Sequence, residues 1–126
     1  MSRSPTLVSP HAIVPRVERH HALIELLRVR APQVASAGWL ARELGVSERT
    51  IERDVAELLD AGVPVRVERG RGGGYAIDAR RSLPPIGFSP GEASALIAAL
   101  VVIGPTASAT AQSALDKLVE ALRPEG

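Results

Sequence analysis

Apolar residues recur at the spacing of a helix face in three segments of the first half of the chain, and each segment is predicted to be a helix. The first predicted helix covers about 16–30, the second about 36–44 and the third 48–61. Their inward stripes are Val17, Ile24 and Leu27, then Trp39, Leu40 and Leu44, and then Ile51, Val55 and Leu58. Residues 1–15 contain prolines among small residues and are predicted to be a disordered leader, with Pro15 opening the first helix.

The connection between the second and third helices carries two local signals. Gly45 follows the second helix, where glycine supplies the left-handed conformation that closes a helix. Ser47 precedes the third helix, where a serine hydroxyl accepts a hydrogen bond from a backbone N–H of the first turn. A short glycine-containing turn sets two helices at a steep angle, so the sequence predicts a helix-turn-helix.

A period of two residues follows the third helix. The segment 65–68 alternates apolar and charged residues, which predicts a half-buried strand with Val65 and Val67 facing inward. A glycine-rich turn, 69–74, and a short apolar run then complete a β-hairpin over 65–77. Because an isolated hairpin is only marginally stable, this one is expected to pack on the helices as a wing.

The second half of the chain is predicted to be helical. The Ser-Pro-Gly-Glu sequence at 89–92 is a capping box, in which the serine and the glutamate satisfy backbone N–H groups reciprocally. It opens a fourth helix over 90–103, and a fifth is expected over about 107–122. The fold class is therefore mainly α with a small β-hairpin. Its parts are the leader 1–15, a winged helix-turn-helix over 16–78, a linker over 79–88 and a helical hairpin over 89–123.

Composition removes several kinds of chemistry. The chain has 126 residues and no cysteine, which rules out disulfides, thiolate metal sites and cysteine nucleophiles. No Ser/His/Asp grouping, paired-carboxylate motif or metal-ligand spacing is evident, so we expect no catalytic residue, metal site, cofactor or small-molecule site. The longest apolar stretch, 93–103, is far shorter than the ~20 residues of a membrane span. We therefore expect a non-enzymatic cytoplasmic protein.

Charge is unevenly divided along the chain. Residues 1–82 contain 13 arginines and 10 acidic residues, a net charge of +3, whereas 83–126 contain 2 basic and 4 acidic residues, a net charge of −2. Arginine suits phosphate and guanine recognition because its planar fork donates two parallel hydrogen bonds. The N-terminal part is therefore the expected nucleic-acid surface.

The third helix carries the candidate contacts to double-stranded DNA. Arg49 and Arg53 lie one turn apart and opposite the inward stripe, and residues at the start of such a helix reach base edges in the major groove. Arginines that flank the glycines of the wing are expected to contact the neighbouring backbone. The predicted DNA-binding residues are Ser47, Glu48, Arg49, Thr50 and Arg53 from the helix, with Arg69 and Arg71 from the wing.

Three stretches together resemble a known family. They are Gly-Val-Ser-Glu-Arg-Thr-Ile-Glu-Arg-Asp at 45–54, Gly-Val-Pro at 62–64 and Arg-Gly-Arg-Gly-Gly-Gly-Tyr at 69–75. They look like the N-terminal half of the WYL-domain transcriptional regulators, and Leu-Pro-Pro at 83–85 with Phe88 resembles the stretch after the wing in that family. The resemblance covers roughly 16–123.

The resemblance implies a DeoR-like winged helix in a transcriptional regulator, with Arg49, Thr50 and Arg53 contacting DNA. Members of that family usually continue into a WYL effector domain. The present sequence ends at 123–126, about where that domain would begin, so no sensor domain is expected within it, whether it is a short regulator or a truncation.

The helical hairpin is too apolar to stand alone in water, and it is the expected homodimer interface. The residues predicted to form this interface are Leu96, Leu100, Ile103, Leu115 and Leu118. An alternative of another class stays open. Winged helices also act as protein-interaction modules, and this chain would then pair with a full-length relative or another protein through the same helices.

Overall fold

The computed structural model describes residues 10–78, 82–103 and 108–124, without the side chains of 10–14 and 103. The chain separates into two compact units, one over Ala22–Ile86 and the other formed by Gly87–Gly126 with the residues up to His21. The described elements are α1 (Pro10–Arg30), α2 (Ala37–Leu44), α3 (Glu48–Asp60), β1 (Val65–Glu68), β2 (Gly74–Ile77), α4 (Pro90–Ile103) and α5 (Ala109–Leu122). Five helices and one hairpin confirm the predicted fold class for the described residues.

The core of the first unit lies between α1, α2, α3 and the hairpin. Leu23 and Leu27 of α1, Leu40 of α2 and Ile51 of α3 are fully buried, and Val55 is almost so. Fully burying one such side chain contributes about 1.5–3 kcal/mol, so these contacts are a main source of the stability of the unit. The predicted stripe of α3 is confirmed, because Ile51, Val55 and Leu58 are all buried.

Local capping explains where α2 and α3 begin and end. Ser36 and Ser47 are the N-caps, and Gly45 closes α2 in the left-handed conformation with φ 68°. After α3, the Gly62 N–H donates to the Leu59 carbonyl and the Val63 N–H donates to the Leu58 carbonyl. These two bonds make a Schellman motif and satisfy carbonyls that the helix end would otherwise leave unpaired.

The wing is a two-stranded antiparallel hairpin in which Val65 pairs with Ile77 and Val67 with Tyr75. Ala35 extends it on the other side of β2, because its N–H and carbonyl bond to the Tyr75 carbonyl and N–H at 2.7 and 2.9 Å. The predicted inward position of Val65 is confirmed, but that of Val67 is wrong, since this side chain is 43% exposed. Val67 lies instead on the wall of a groove between the wing and the start of α2.

Two corrections concern the start of the chain. α1 begins at Pro10, so residues 10–15 of the predicted disordered leader are helical, and Pro15 lies inside the helix. Residues 1–9 lie outside the described part. Pro15 is the sixth residue of α1 and has no N–H to donate to the carbonyl four residues earlier, so the helix lacks one hydrogen bond there. Because α1 begins at Pro10, the residues around Pro15 continue the helix and do not start it.

The second unit contains α4 and α5. The predicted capping box is confirmed: the Ser89 N–H donates to the Glu92 carboxylate at 2.9 Å, and the Glu92 N–H donates to the Ser89 hydroxyl at 3.1 Å. These hydrogen bonds favour the ionised carboxylate and lower the pKa of Glu92.

α5 begins at Ala109, with Ser108 as its N-cap, and its stripe of Ala111, Leu115, Leu118 and Leu122 is half-buried. The linker segment 82–89 contains no helix or strand.

The histidine at position 21 makes the stability of the chain depend on pH. Desolvation first, and the nearby His20 second, lower the pKa of His21 from its ordinary 6.5. The His21 imidazole therefore binds a proton more tightly in the unfolded chain than in the folded one. Its contribution to the free energy of unfolding is fully present above pH 6.5 and is lost as the pH drops from 6.5 through the folded pKa. We expect the melting temperature to decrease on acidification more steeply in the wild type than in His21→Gln. Parallel slopes for the two proteins would refute this.

Candidate nucleic-acid interface

The exposed face of α3 carries two of the predicted DNA contacts. Arg49 and Arg53 are exposed and lie on the side of the helix opposite Ile51 and Val55, which are buried in the core. The core thus holds the backbone of α3 while both guanidinium groups reach solvent. Like charges one turn apart weaken a helix slightly, and a polyanion at this face would remove that cost.

The first turn of α3 is fixed by one serine. The Ser47 hydroxyl accepts from the Thr50 backbone N–H at 3.1 Å and donates to the Thr50 hydroxyl at 3.1 Å. Ser47 is exposed and Thr50 is half-buried. Both are at the helix start, as the sequence predicted, and the two hydrogen bonds between them cap the helix.

Glu48 lies beside the second helix. A methyl group added to Gly38 would stand 3.5 Å from Nη1 of Arg42 and 3.5 Å from Oε2 of Glu48. The Glu48 carboxylate therefore approaches α2, where the Arg42 guanidinium also lies. Arg42 is an exposed cation next to the first turn of α3 and was not among the site residues predicted from the sequence. Arg42 lies four residues after Gly38, and a glycine leaves space for the arginine side chain. This spacing was the signal in the sequence that could have identified Arg42.

The base of the wing faces α3 through a tyrosine. Burial first and the Glu52 carboxylate second raise the pKa of Tyr75, and the Arg69 charge opposes them. The phenol thus lies within electrostatic reach of both α3 and the wing. A groove of about 340 Å³ between the wing and the start of α2 is lined by residues that include Ala37, Arg69 and Tyr75. Glu52 and Tyr75 were not among the site residues predicted from the sequence.

The two predicted wing arginines are exposed in the turn between β1 and β2. Gly70 and Gly72, which follow Arg69 and Arg71, have φ of 91° and 75° and allow the tight reversal. A third arginine has a structural contact instead: Arg66 donates to the Pro32 carbonyl at 3.0 Å and to the Glu68 carboxylate at 3.1 Å. Arg66 therefore anchors β1 to the chain that precedes α2, leaving Arg69 and Arg71 as exposed cations of the wing.

Trp39 packs against the core, as predicted from its place in the inward stripe of the second helix. Trp39 is half-buried against the core cluster, and the Arg30 guanidinium lies 4.4 Å from the centroid of its ring. Such a cation–π contact contributes about 0.5–1 kcal/mol at an exposed site. Trp39 thus joins the end of α1 to α2.

The predicted interface residues of the second unit remain partly accessible. Leu96 is 39% exposed, and Leu100, Leu115 and Leu118 are half-buried. The side chain of Ile103 lies outside the described part. Within α4, Ala93 is buried at 5% whereas Val101 and Val102 are 59% and 67% exposed. The helical pair therefore presents a substantial apolar surface.

Comparison with known proteins defines the class of the first unit. Residues 19–76 match the model of a protein family described as an HTH domain. This range contains α2, the turn, α3 and nearly all of the wing, and these elements have the order of a helix-turn-helix domain. No solved structure matches the chain. Among the described residues, no helix is both long and apolar enough to cross a membrane.

The cap of α3 can be tested by itself. We expect Ser47→Ala to lower the free energy of unfolding by about 1 kcal/mol, because the Thr50 N–H loses its acceptor. Urea denaturation would measure the change. Ser47→Asn is the matched control, because asparagine caps as well as serine and should be nearly neutral. An equal loss in both variants would show that the cap is not the cause.

Proposed function

We propose that this chain is a sequence-specific transcriptional regulator that binds double-stranded DNA, with the helix predicted at 48–61 in the major groove and the wing 65–77 on the flanking backbone. The observation that carries the proposal is the exposed pair Arg49 and Arg53 on a helix whose opposite face is locked in the core. A rigid support matters because base readout requires side chains to be held in register with base edges.

The two groups of cations would have different tasks. Arg69 and Arg71 on the wing would neutralise phosphates, which supplies affinity and salt dependence but carries no sequence information directly. Arg49, with Thr50 and Arg53, would read base edges, arginine being suited to the two acceptors of guanine. Ser47 and Glu48 would contribute mainly by fixing the first turn, which the capping bonds and the approach of Glu48 to α2 support.

The finer assignment is a DeoR-like winged helix of the WYL-regulator type acting as a homodimer. It is supported by the three motif stretches at 45–54, 62–64 and 69–75 and by the apolar surface of α4 and α5. Two copies would fit a two-fold operator with half-sites separated by about one DNA turn or a multiple of it. A domain of this class points to a non-enzymatic regulator.

The proposal is tested by titrating the purified chain into duplex DNA from upstream of its own gene and into a scrambled duplex of the same composition, across a salt series. We expect tighter binding to the native duplex and an affinity that falls steeply with salt for both. Equal, weak binding to both duplexes would refute sequence specificity. Absence of binding at low salt would refute DNA binding and favour the protein-interaction alternative.

A further inference from the structure

A groove runs between α4 and α5 in the second unit. It has a volume of about 380 Å³, and Ile97 and Val101 of α4 line it together with Leu115 and Val119 of α5. Val101 and Val119 are 59% and 43% exposed despite lining it. An apolar groove rimmed by charged residues is typical of a site that another protein surface covers.

Beyond its first turn, α4 has no charged residue that a protein bound in the groove could contact. Glu92 is its only charged residue, and the eleven residues from Ala93 to Ile103 contain none. Any electrostatic selection of the partner must therefore come from the α5 wall of the groove. That wall carries Asp116, Glu120 and Arg123.

Two of the three charged residues of the α5 wall, Asp116 and Arg123, can pair with their counterparts in a second copy of the helix. Asp116 and Arg123 are seven residues apart, which places them on one side of the helix and about 10 Å apart along its axis. Val119 lies between them. If a second α5 lies antiparallel across the groove, each Asp116 faces the Arg123 of the other copy, so one contact is made twice around a two-fold axis.

We propose that the groove binds a second copy of this chain, with the two α5 helices antiparallel, Asp116 of each facing the partner's Arg123 and Val119 near the two-fold axis. Within one chain Arg123 pairs with Glu120 at 3.1 Å, and both side chains are 68% exposed, so the guanidinium stays accessible to a second copy. The inference specifies the surface and register of the proposed homodimer and is independent of DNA binding.

Charge reversal tests the register. Asp116→Arg places two arginines at each contact, and Arg123→Asp places two aspartates there. We expect either variant to weaken self-association at least about tenfold at low salt, as measured by sedimentation equilibrium. An equimolar mixture of the two variants should recover wild-type association, because each arginine then faces an aspartate. The control is Lys117→Glu, which changes an exposed charge of α5 outside the groove and should leave association unchanged.

Recovery in the mixture also shows that both variants fold, since a misfolded chain would not re-form the dimer. A wild-type dimer that neither reversal weakens, or a mixture that fails to recover when circular dichroism shows both variants folded, would overturn the register. A monomeric wild type would overturn the homodimer and the register together. None of these results bears on DNA binding, which the titration of the native duplex measures separately.

Discussion

The double variant Arg49→Ala/Arg53→Ala is expected to lose most of its preference for the native operator duplex while keeping its fold. Each bidentate contact from arginine to guanine contributes about 1–3 kcal/mol of discrimination, so two contacts together would give roughly 2–6 kcal/mol. Both side chains are exposed, so their removal leaves no cavity in the core. Titration of native and scrambled duplexes at one salt concentration measures the loss, and the melting temperature checks the fold.

A variant with the same change in net charge separates base readout from general attraction. Arg28→Ala/Lys117→Ala also removes two positive charges, but Arg28 lies on α1 paired with Glu25 at 2.6 Å and Lys117 lies on α5. We expect this control to keep the preference for the native duplex. If the α3 double variant stays folded and binds the operator with unchanged affinity, Arg49 and Arg53 are not the readout residues.

The second large effect is expected at the base of the wing. A methyl group on Gly74 would collide with the Ala35 carbonyl oxygen, so one of the two backbones would have to move. That movement breaks the pair of hydrogen bonds between Ala35 and Tyr75. We therefore expect Gly74→Ala to lower the free energy of unfolding by about 2–5 kcal/mol, since two backbone bonds are lost at a partly buried site. Urea denaturation would measure it.

Two other glycines provide graded controls for this prediction. Gly72 has open space around it but a φ of 75°, so Gly72→Ala should cost about 1–2 kcal/mol from the left-handed conformation alone. Gly87 also has open space and no positive φ, so Gly87→Ala should be nearly neutral. If Gly74→Ala costs no more than Gly72→Ala, the contact with Ala35 does not hold the wing.

Much of the helix-turn-helix was predictable because its signals are local. The N-cap at Ser47, the left-handed glycine at position 45 and the stripe of Ile51, Val55 and Leu58 each depend on residues within a few positions along the chain. The capping box at Ser89 is of the same kind. Such interactions join residues that are close in the sequence and depend little on the rest of the chain, so the sequence pattern is enough to recognise them.

The errors occurred where the outcome depends on distant residues. Val67 matches the alternation of a half-buried strand, yet it is exposed because it lines a groove between the wing and the start of α2 that no other described element fills. Pro15 matches the preference for the first position of a helix, yet the helix begins at Pro10. A sequence pattern shows which positions a residue type tolerates. Burial and helix length depend in addition on the residues that pack against that position in the folded chain.

The sequence by itself determined the order of the elements, the capped starts of α3 and α4 and the outward positions of Arg49 and Arg53. The tertiary structure alone decided how those elements meet: Ala35 pairs with Tyr75 across 40 residues, and Arg66 anchors to Pro32 across 34. It also placed Glu48 beside Arg42, and it packed α4 next to the side of α5 that carries Asp116 and Arg123. The physical reason is that periodicity records which face of an element is apolar, but not which other element covers it.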